Sequence, residues 1–150
     1  MNLLSELFRK KMPLLAKSDG SLKTSGELIA EVSNGANLVD GKQTWELADE
    51  KKQDIEYMKK CCDAELKTMA VAGIVAAPYY FERVAVLSRK LKDYEQEIHY
   101  CELYIHSVEA YYAKHGTANM ADVRKGPRYQ SILARLPKAK DLLSKSARTA

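Results

Sequence analysis

The longest regular pattern in the chain lies between Pro78 and Lys114, where apolar positions recur in steps of three and four. Such steps place side chains on one face of an α-helix, whose turn is about 3.6 residues. Residues 78 to 91 present Phe81, Val84, Ala85, Ser88 and Leu91 on one stripe. Lys92-Asp93 reads as a turn. Residues 94 to 114 then present Ile98, Cys101, Ile105, Val108 and Tyr112, and His115-Gly116 closes the second helix, because glycine accepts the left-handed conformation that commonly ends helices. The pair predicts a helical hairpin.

The same reading covers the rest of the chain. Residues 1 to 12, MNLLSELFRKKM, carry Leu3, Leu4, Leu7, Phe8 and Met12 at helical spacing beside Arg9, Lys10 and Lys11, and Pro13 with Ser18-Asp19-Gly20 ends the run. Thr24-Ser25-Gly26-Glu27 fits a capping box and predicts a short helix to Ser33, stopped at Asn34-Gly35. Residues 34 to 43 read as loop, with a turn at Asp40-Gly41. From Thr44 a long helix is expected to about Gly73, with one stripe of Leu47, Ile55, Met58, Cys62, Leu66 and Met69, and with Cys61 on the exposed side. Pro78 breaks that run and suits the first turn of the next helix. After a linker, residues 117 to 126, Pro127 opens a last helix with the stripe Ile132, Leu136, Ala139 and Leu143. Pro137 should kink or split it.

No segment alternates apolar and polar residues long enough for a strand. The expectation is an all-α fold: one helical domain over residues 1–150, a small bundle of about five helices around the hairpin. Residues 1–25 form an N-terminal amphipathic helix and loop, and 144–150 a frayed tail.

The hairpin carries a resemblance. Phe81, with Tyr79 and Tyr80 beside it, opens the first helix with an aromatic; Val84-Ala85 supplies a large apolar residue followed by a small one; Lys92-Asp93-Tyr94 forms the turn; Ile98 follows as an apolar position. In these features residues 81–105, a sixth of the chain, resemble one tetratricopeptide repeat. The stretch LSRKLKDYEQEI is similar to hairpins in small bacterial and phage accessory proteins. The segment departs from the family at Ser88, where an aromatic is usual, and at Glu97 and Tyr104, where small residues are usual. Those departures remove contacts that stack neighbouring repeats, and no second copy follows at the family's spacing. The resemblance implies a lone hairpin whose role is to hold another protein.

Composition narrows the function classes. A chain of 150 residues, 46% apolar and 29% charged, buries roughly 68–70% of its unfolded surface and needs no metal or disulfide to form a core. Its longest apolar run is too short to span a membrane, and its opening residues lack the pattern of a secretory signal. The three cysteines, Cys61, Cys62 and Cys101, are odd in number and do not read as a disulfide framework, so a reducing cytoplasm is expected. The net charge of +4 divides unevenly: +3 over residues 1–25, −5 over 26–120 and +6 over 121–150. The basic ends would meet nucleic acid, an acidic protein, or the chain's own acidic middle, the last being the plainest reading.

Motifs for chemistry are sparse. His99 and His106 share a helix face two turns apart while Cys101 points elsewhere, and no HExxH or paired CxxC is present. Neither a nucleophile elbow nor a glycine-rich phosphate loop occurs. No enzymatic activity, metal, cofactor or small-molecule substrate is expected, and no membrane association.

Two binding readings remain. Tyr79, Tyr80, Tyr100, Tyr104 and Tyr111 lie in or beside the hairpin, Tyr100, Tyr104 and Tyr111 off its Ile98–Cys101–Ile105–Val108 face. Amphipathic aromatics outside a core stripe suit an interface. They predict an adaptor or inhibitor that binds another protein, or a second copy, in the cytoplasm. The alternative is a nucleic-acid-associated protein using Arg124, Lys125, Arg128, Arg135 and Lys138, which cluster near Tyr129.

Overall fold

A computed structural model of the chain describes residues 14–118 and 121–149. The amphipathic segment of residues 1 to 12 lies outside them. Among the described residues the fold is all-α: six helices, with one two-stranded hairpin of two residues per strand. They form two compact units. One holds the described residues up to Glu50 together with Lys60–Ala76; the other holds Lys51–Lys59 and the residues from Ala77 onward.

The first unit begins with a strap. Ala16 and Leu22 pair as an antiparallel bridge, the Lys17 amide donates to Ser21 O at 2.7 Å, and the Lys23 amide donates to Leu15 O at 2.8 Å. Helix α1, Ser25–Val32, follows. Thr24 caps it through the expected reciprocal box: its hydroxyl accepts from the Glu27 amide, and the Glu27 carboxylate accepts from the Thr24 amide at 2.7 Å. Asn34 and Gly35, both at positive φ, end the segment.

The stretch read as loop contains strands β1, Leu38–Val39, and β2, Lys42–Gln43. Asp40 (φ 51°) and Gly41 (φ 79°) connect them, and positive φ at both central residues is what the type I′ hairpin turn requires. Strands this short carry no period to detect.

The expected long helix is two: α2, Thr44–Glu50, and α3, Ile55–Ala72. Asp54 makes the second start, since its carboxylate accepts from the amides of Glu56 (3.1 Å) and Tyr57 (3.2 Å). An acid that captures two free amides in this way acts as an N-cap and interrupts the periodic run. Cys61, expected on the exposed side, is fully buried together with Cys62. Adjacent residues point about 100° apart on a helix, so α3 is covered over a wider arc than one stripe. Leu66 and Met69 are only half-buried.

In the second unit Arg83 donates from Nε and Nη2 to Lys52 O at 3.0 and 2.7 Å. The hairpin consists of α4, Pro78–Lys90, and α5, Tyr94–His115. Pro78 sits in the first turn of α4, Asp93 caps α5 through the Gln96 amide, and Gly116 ends α5 at φ 67°. Leu91, expected on the core stripe, is 67% exposed; it is the C-cap and has left the helical face. The buried side of α5 is Glu97, Cys101, Tyr104, Val108, Tyr111 and Tyr112, with Ile98 and Ile105 half-buried. A 3-10 turn, Val123–Lys125, leads to α6, Pro127–Thr149. Helix α6 continues through Pro137 and through the tail expected to fray. It packs on both hairpin helices, which is why α5 buries two neighbouring stripes rather than one. None of the described helices is long and apolar enough to cross a membrane.

Candidate interaction surfaces

The hairpin tyrosines divide. Tyr104 is fully buried and its ring centroid lies 4.7 Å from that of Phe81 and 6.2 Å from that of Tyr129 on α6. Tyr80 and Tyr111 are buried as well; Tyr111 lies 4.5 Å from the His115 ring. Three of the five tyrosines read as partner-binding are therefore core. For Tyr104 the reason is α6, which covers the second face of α5 and brings Tyr129 against it. Tyr79 and Tyr100 are half-buried. The Arg128 guanidinium lies 4.8 Å over the Tyr79 ring, and Tyr100 meets His99 edge-on at 5.3 Å.

The cations read as a nucleic-acid surface face the chain's own acids. Arg128 Nη1 lies 2.6 Å from Glu82 Oε2, Arg135 Nη2 2.9 Å from Glu97 Oε2, and Arg124 Nη1 3.0 Å from Glu109 Oε2. Lys140, beside them, lies 3.2 Å from Glu102. Arg124 also pairs with Asp122 at 2.8 Å and stacks 4.5 Å over the Tyr112 ring. The hydrogen bond from Arg124 holds the Asp122 carboxyl below the usual carboxylate range. Lys125 and Lys138 are exposed. Every one of these ion pairs with α4 or α5 has its cation in residues 124–140 and its acid on the hairpin.

One pair is unlike the others. Glu97 is 0% exposed. Its Oε1 accepts from Arg89 Nε at 2.9 Å, while Arg135 approaches Oε2 from α6. Neither Glu97 Oε2 nor Arg135 Nε has an aligned hydrogen bond, so this contact is held by charge more than by direction. Arg89 Nη2 donates to the Arg135 backbone O at 3.3 Å. Next to this cluster Gln96 Nε2 donates to Ser88 Oγ at 2.9 Å, and Ser88 donates in turn to Val84 O. All three positions where the hairpin departs from the tetratricopeptide pattern are thus occupied by specific contacts: Ser88 with Gln96, Glu97 with two arginines, Tyr104 with Phe81.

The thiols are suppressed. Burial pushes Cys61 and Cys101 up to about 11, with Glu65 and Glu97 respectively adding to the effect. Burial also raises Cys62. A protonated, enclosed thiol is a poor nucleophile and a poor ligand. His99 and His106 are exposed, and among the described residues no three of His, Cys, Asp and Glu gather as a metal site would require.

The first unit exposes what the second conceals. Trp45, the chain's single tryptophan, is 66% exposed, and Leu22 is 75% exposed; Leu14 and Leu15 are exposed beside it. Trp45 Nε1 donates to Gln43 Oε1 at 2.6 Å, which fixes the indole's polar edge. Gln43 in turn lies against Gly26, where an added Cβ would sit 1.7 Å from Gln43 Oε1. A cleft of about 400 Å³ is lined by Lys17, Lys23, Glu27, Glu31, Gln43 and Glu46. Trp45 meets that lining through its hydrogen bond to Gln43. Sequence reasoning passed over these residues. Trp45 stands two positions from the buried Leu47, about 200° around the helix and hence on the opposite face; that signal was available.

No protein-family model, characterised protein or solved structure matches the chain, and the tetratricopeptide resemblance rests on residues 81–105 alone.

Proposed function

We propose that the protein is a non-catalytic protein-interaction module, an adaptor or inhibitor acting in the cytoplasm, and that it meets its partner through the exposed apolar residues of the first unit. The observation that carries this reading is Trp45, two-thirds exposed, in a unit that also leaves Leu14, Leu15 and Leu22 in water. Exposed apolar side chains that gather into a patch mark interaction sites. Tryptophan is among the residues most enriched where interface energy concentrates. The hairpin's tyrosines serve chiefly as the core that supports α6, and the burial of all three thiols favours a non-catalytic role.

The nucleic-acid alternative draws on cations of which three, Arg124, Arg128 and Arg135, already neutralise acids of the same chain. A polyanion would have to compete with those pairs.

The test is affinity capture from cell lysate with and without nuclease, repeated with Trp45→Ala and Leu22→Ser. The reading expects a stoichiometric protein partner that survives nuclease and moderate salt and is lost with Trp45→Ala. Recovery of nucleic acid, with every protein partner lost on nuclease treatment, would move the function to residues 124–138. Capture indifferent to Trp45 and Leu22 would remove the first unit as the contact surface.

A further inference from the structure

Asn34 is the chain's only asparagine followed by glycine, and that pair can react with no other molecule than water. The Gly35 backbone nitrogen attacks Asn34 Cγ and closes a cyclic imide, an approach left open because glycine has no Cβ. The Cγ–Nδ2 bond breaks, and ammonia leaves with the proton of the Gly35 amide. Water then opens the imide at either carbonyl. The product is aspartate, or an isoaspartyl residue whose backbone runs through Cγ. Asn2, Asn37 and Asn119 precede Leu, Leu and Met, whose side chains crowd the same nitrogen.

The fold holds the attacking nitrogen. Gly35 N–H donates to Ala30 O at 2.7 Å and Asn34 N–H donates to Glu31 O at 3.4 Å, the paired bonds of a Schellman helix end. Asn34 is the left-handed residue of that motif, at φ 53°, and Gly35 follows at φ 77°. A nitrogen whose N–H is held by Ala30 O is neither deprotonated nor free to turn onto Cγ. Asn34 itself is exposed, so water reaches it. Helix α1 buries no residue completely, and a helix end with so little burial opens locally at low cost. The product would carry charge to a place that disfavours it. The C-terminal end of a helix repels an anion; the last turn of α1 has no basic residue and already carries Glu31. The cleft beside Gly35 sets Lys60 and Lys67 against Asp40 and Asp63 and so brings no net positive charge.

We propose that Asn34 is a self-modification site gated by the last turn of α1. Opening of that turn frees the Gly35 nitrogen, the imide forms, and the resulting carboxylate weakens the turn that had protected it. Helix α1 supplies Glu27 and Glu31 to the cleft that Gln43 lines, so the reaction alters the first unit as the chain ages.

The test incubates the full chain at pH 8, native and in denaturing urea, and follows by peptide mass spectrometry the mass gained when an amide becomes an acid. Modification should locate to Asn34 and run roughly ten- to hundredfold slower in the native chain, as for a helix end that opens locally. Thr24→Ala removes the cap at the far end of α1 and should speed the native reaction by roughly fivefold, the effect of losing such a cap on the open population, while leaving the denatured rate unchanged. In the parent chain, urea below the unfolding transition should raise Gly35 amide exchange and Asn34 modification in parallel, a comparison that needs no variant. Asn34→Asp should speed hydrogen exchange of the α1 amides. A native rate equal to the denatured one, or rates at Gly35 and Asn34 that diverge in urea, overturns the gate. Absence of native product within the period that a hundredfold slowing would make it detectable overturns the site, and unchanged α1 exchange in Asn34→Asp overturns the weakening.

Discussion

In the second unit a glutamate is fully buried between two arginines and Phe81 meets Tyr104 at 4.7 Å, whereas in the first unit the single tryptophan is two-thirds exposed and helix α1 buries no residue completely. Both units contain amphipathic helices with side-chain caps, Thr24 in the first and Asp93 in the second, so local propensity does not separate them. The difference is coverage. Helix α6 lies across the hairpin and encloses two adjacent stripes of α5; the strap, α1, β1, β2 and α2 leave Leu22 and Trp45 uncovered. Where a helix is covered on two sides, polar residues enter the core and must find partners. Where it is covered on one side, apolar residues remain available to something else.

The comparison can be broken most directly by truncation. Phe81→Ala should cost about 3–5 kcal/mol, the usual range for a large side chain removed from a packed core. Trp45→Ala should change stability by less than about 0.5 kcal/mol, as surface substitutions do. Urea denaturation measures both, and similar losses at the two sites would show that Trp45 is packed after all.

Thiol chemistry sharpens the contrast next. Cys61 and Cys101 titrate near 11 in the folded chain because burial disfavours the thiolate. A group whose folded value is raised stabilises the fold below its unfolded value, about 8.5 for cysteine, and that contribution is lost as pH climbs through the folded value. Stability should accordingly fall between about pH 9 and pH 11. At pH 8 all three thiols should resist a disulfide reagent until denaturant is added. Rapid modification of the native chain would contradict their burial.

Smaller effects are expected at the turn and at the rim. Lys92 adopts φ 58° between α4 and α5, a left-handed conformation that costs a residue with a Cβ roughly 1–2 kcal/mol. Part of that gain is offset by the added freedom of glycine in the unfolded chain, so Lys92→Gly should stabilise by about 0.5 kcal/mol, read as a higher urea midpoint. Arg128→Gln breaks the exposed pair with Glu82 and should cost no more than about 1 kcal/mol, less in high salt. Gly26→Ala should leave global stability nearly unchanged yet shift the fluorescence of Trp45, because the new methyl displaces the flexible amide of Gln43 that holds the indole N–H.

The proposed interaction surface was poorly legible from sequence, and particular residues show why. Tyrosines off the Ile98–Cys101–Val108 stripe suggest an interface, but the same pattern arises when a third helix supplies a second core face. That helix, α6, joins the hairpin through partners such as Arg128 and Glu82, 46 residues apart, and no window of one or two turns contains both. The regional charge balance did foretell the sign of the contacts, basic on residues 121–150 and acidic in the middle. It did not foretell which cations would meet the buried Glu97.

What the sequence determined by itself is local. The capping box at Thr24 and Glu27, Pro78 and Pro127 in first turns, the break at Lys92-Asp93 and the stop at Gly116 act within one turn of backbone, so the residues present are sufficient to place them. Tertiary structure decided the rest: that Cys61 is buried along with Cys62, that Leu91 is exposed, that Tyr104 packs on Phe81, and that Glu97 lies in the core between arginines from two helices. Each of these depends on which surface arrives from elsewhere in the chain. Burial is a property of the covering element, and a helix carries no record of how wide that cover will be.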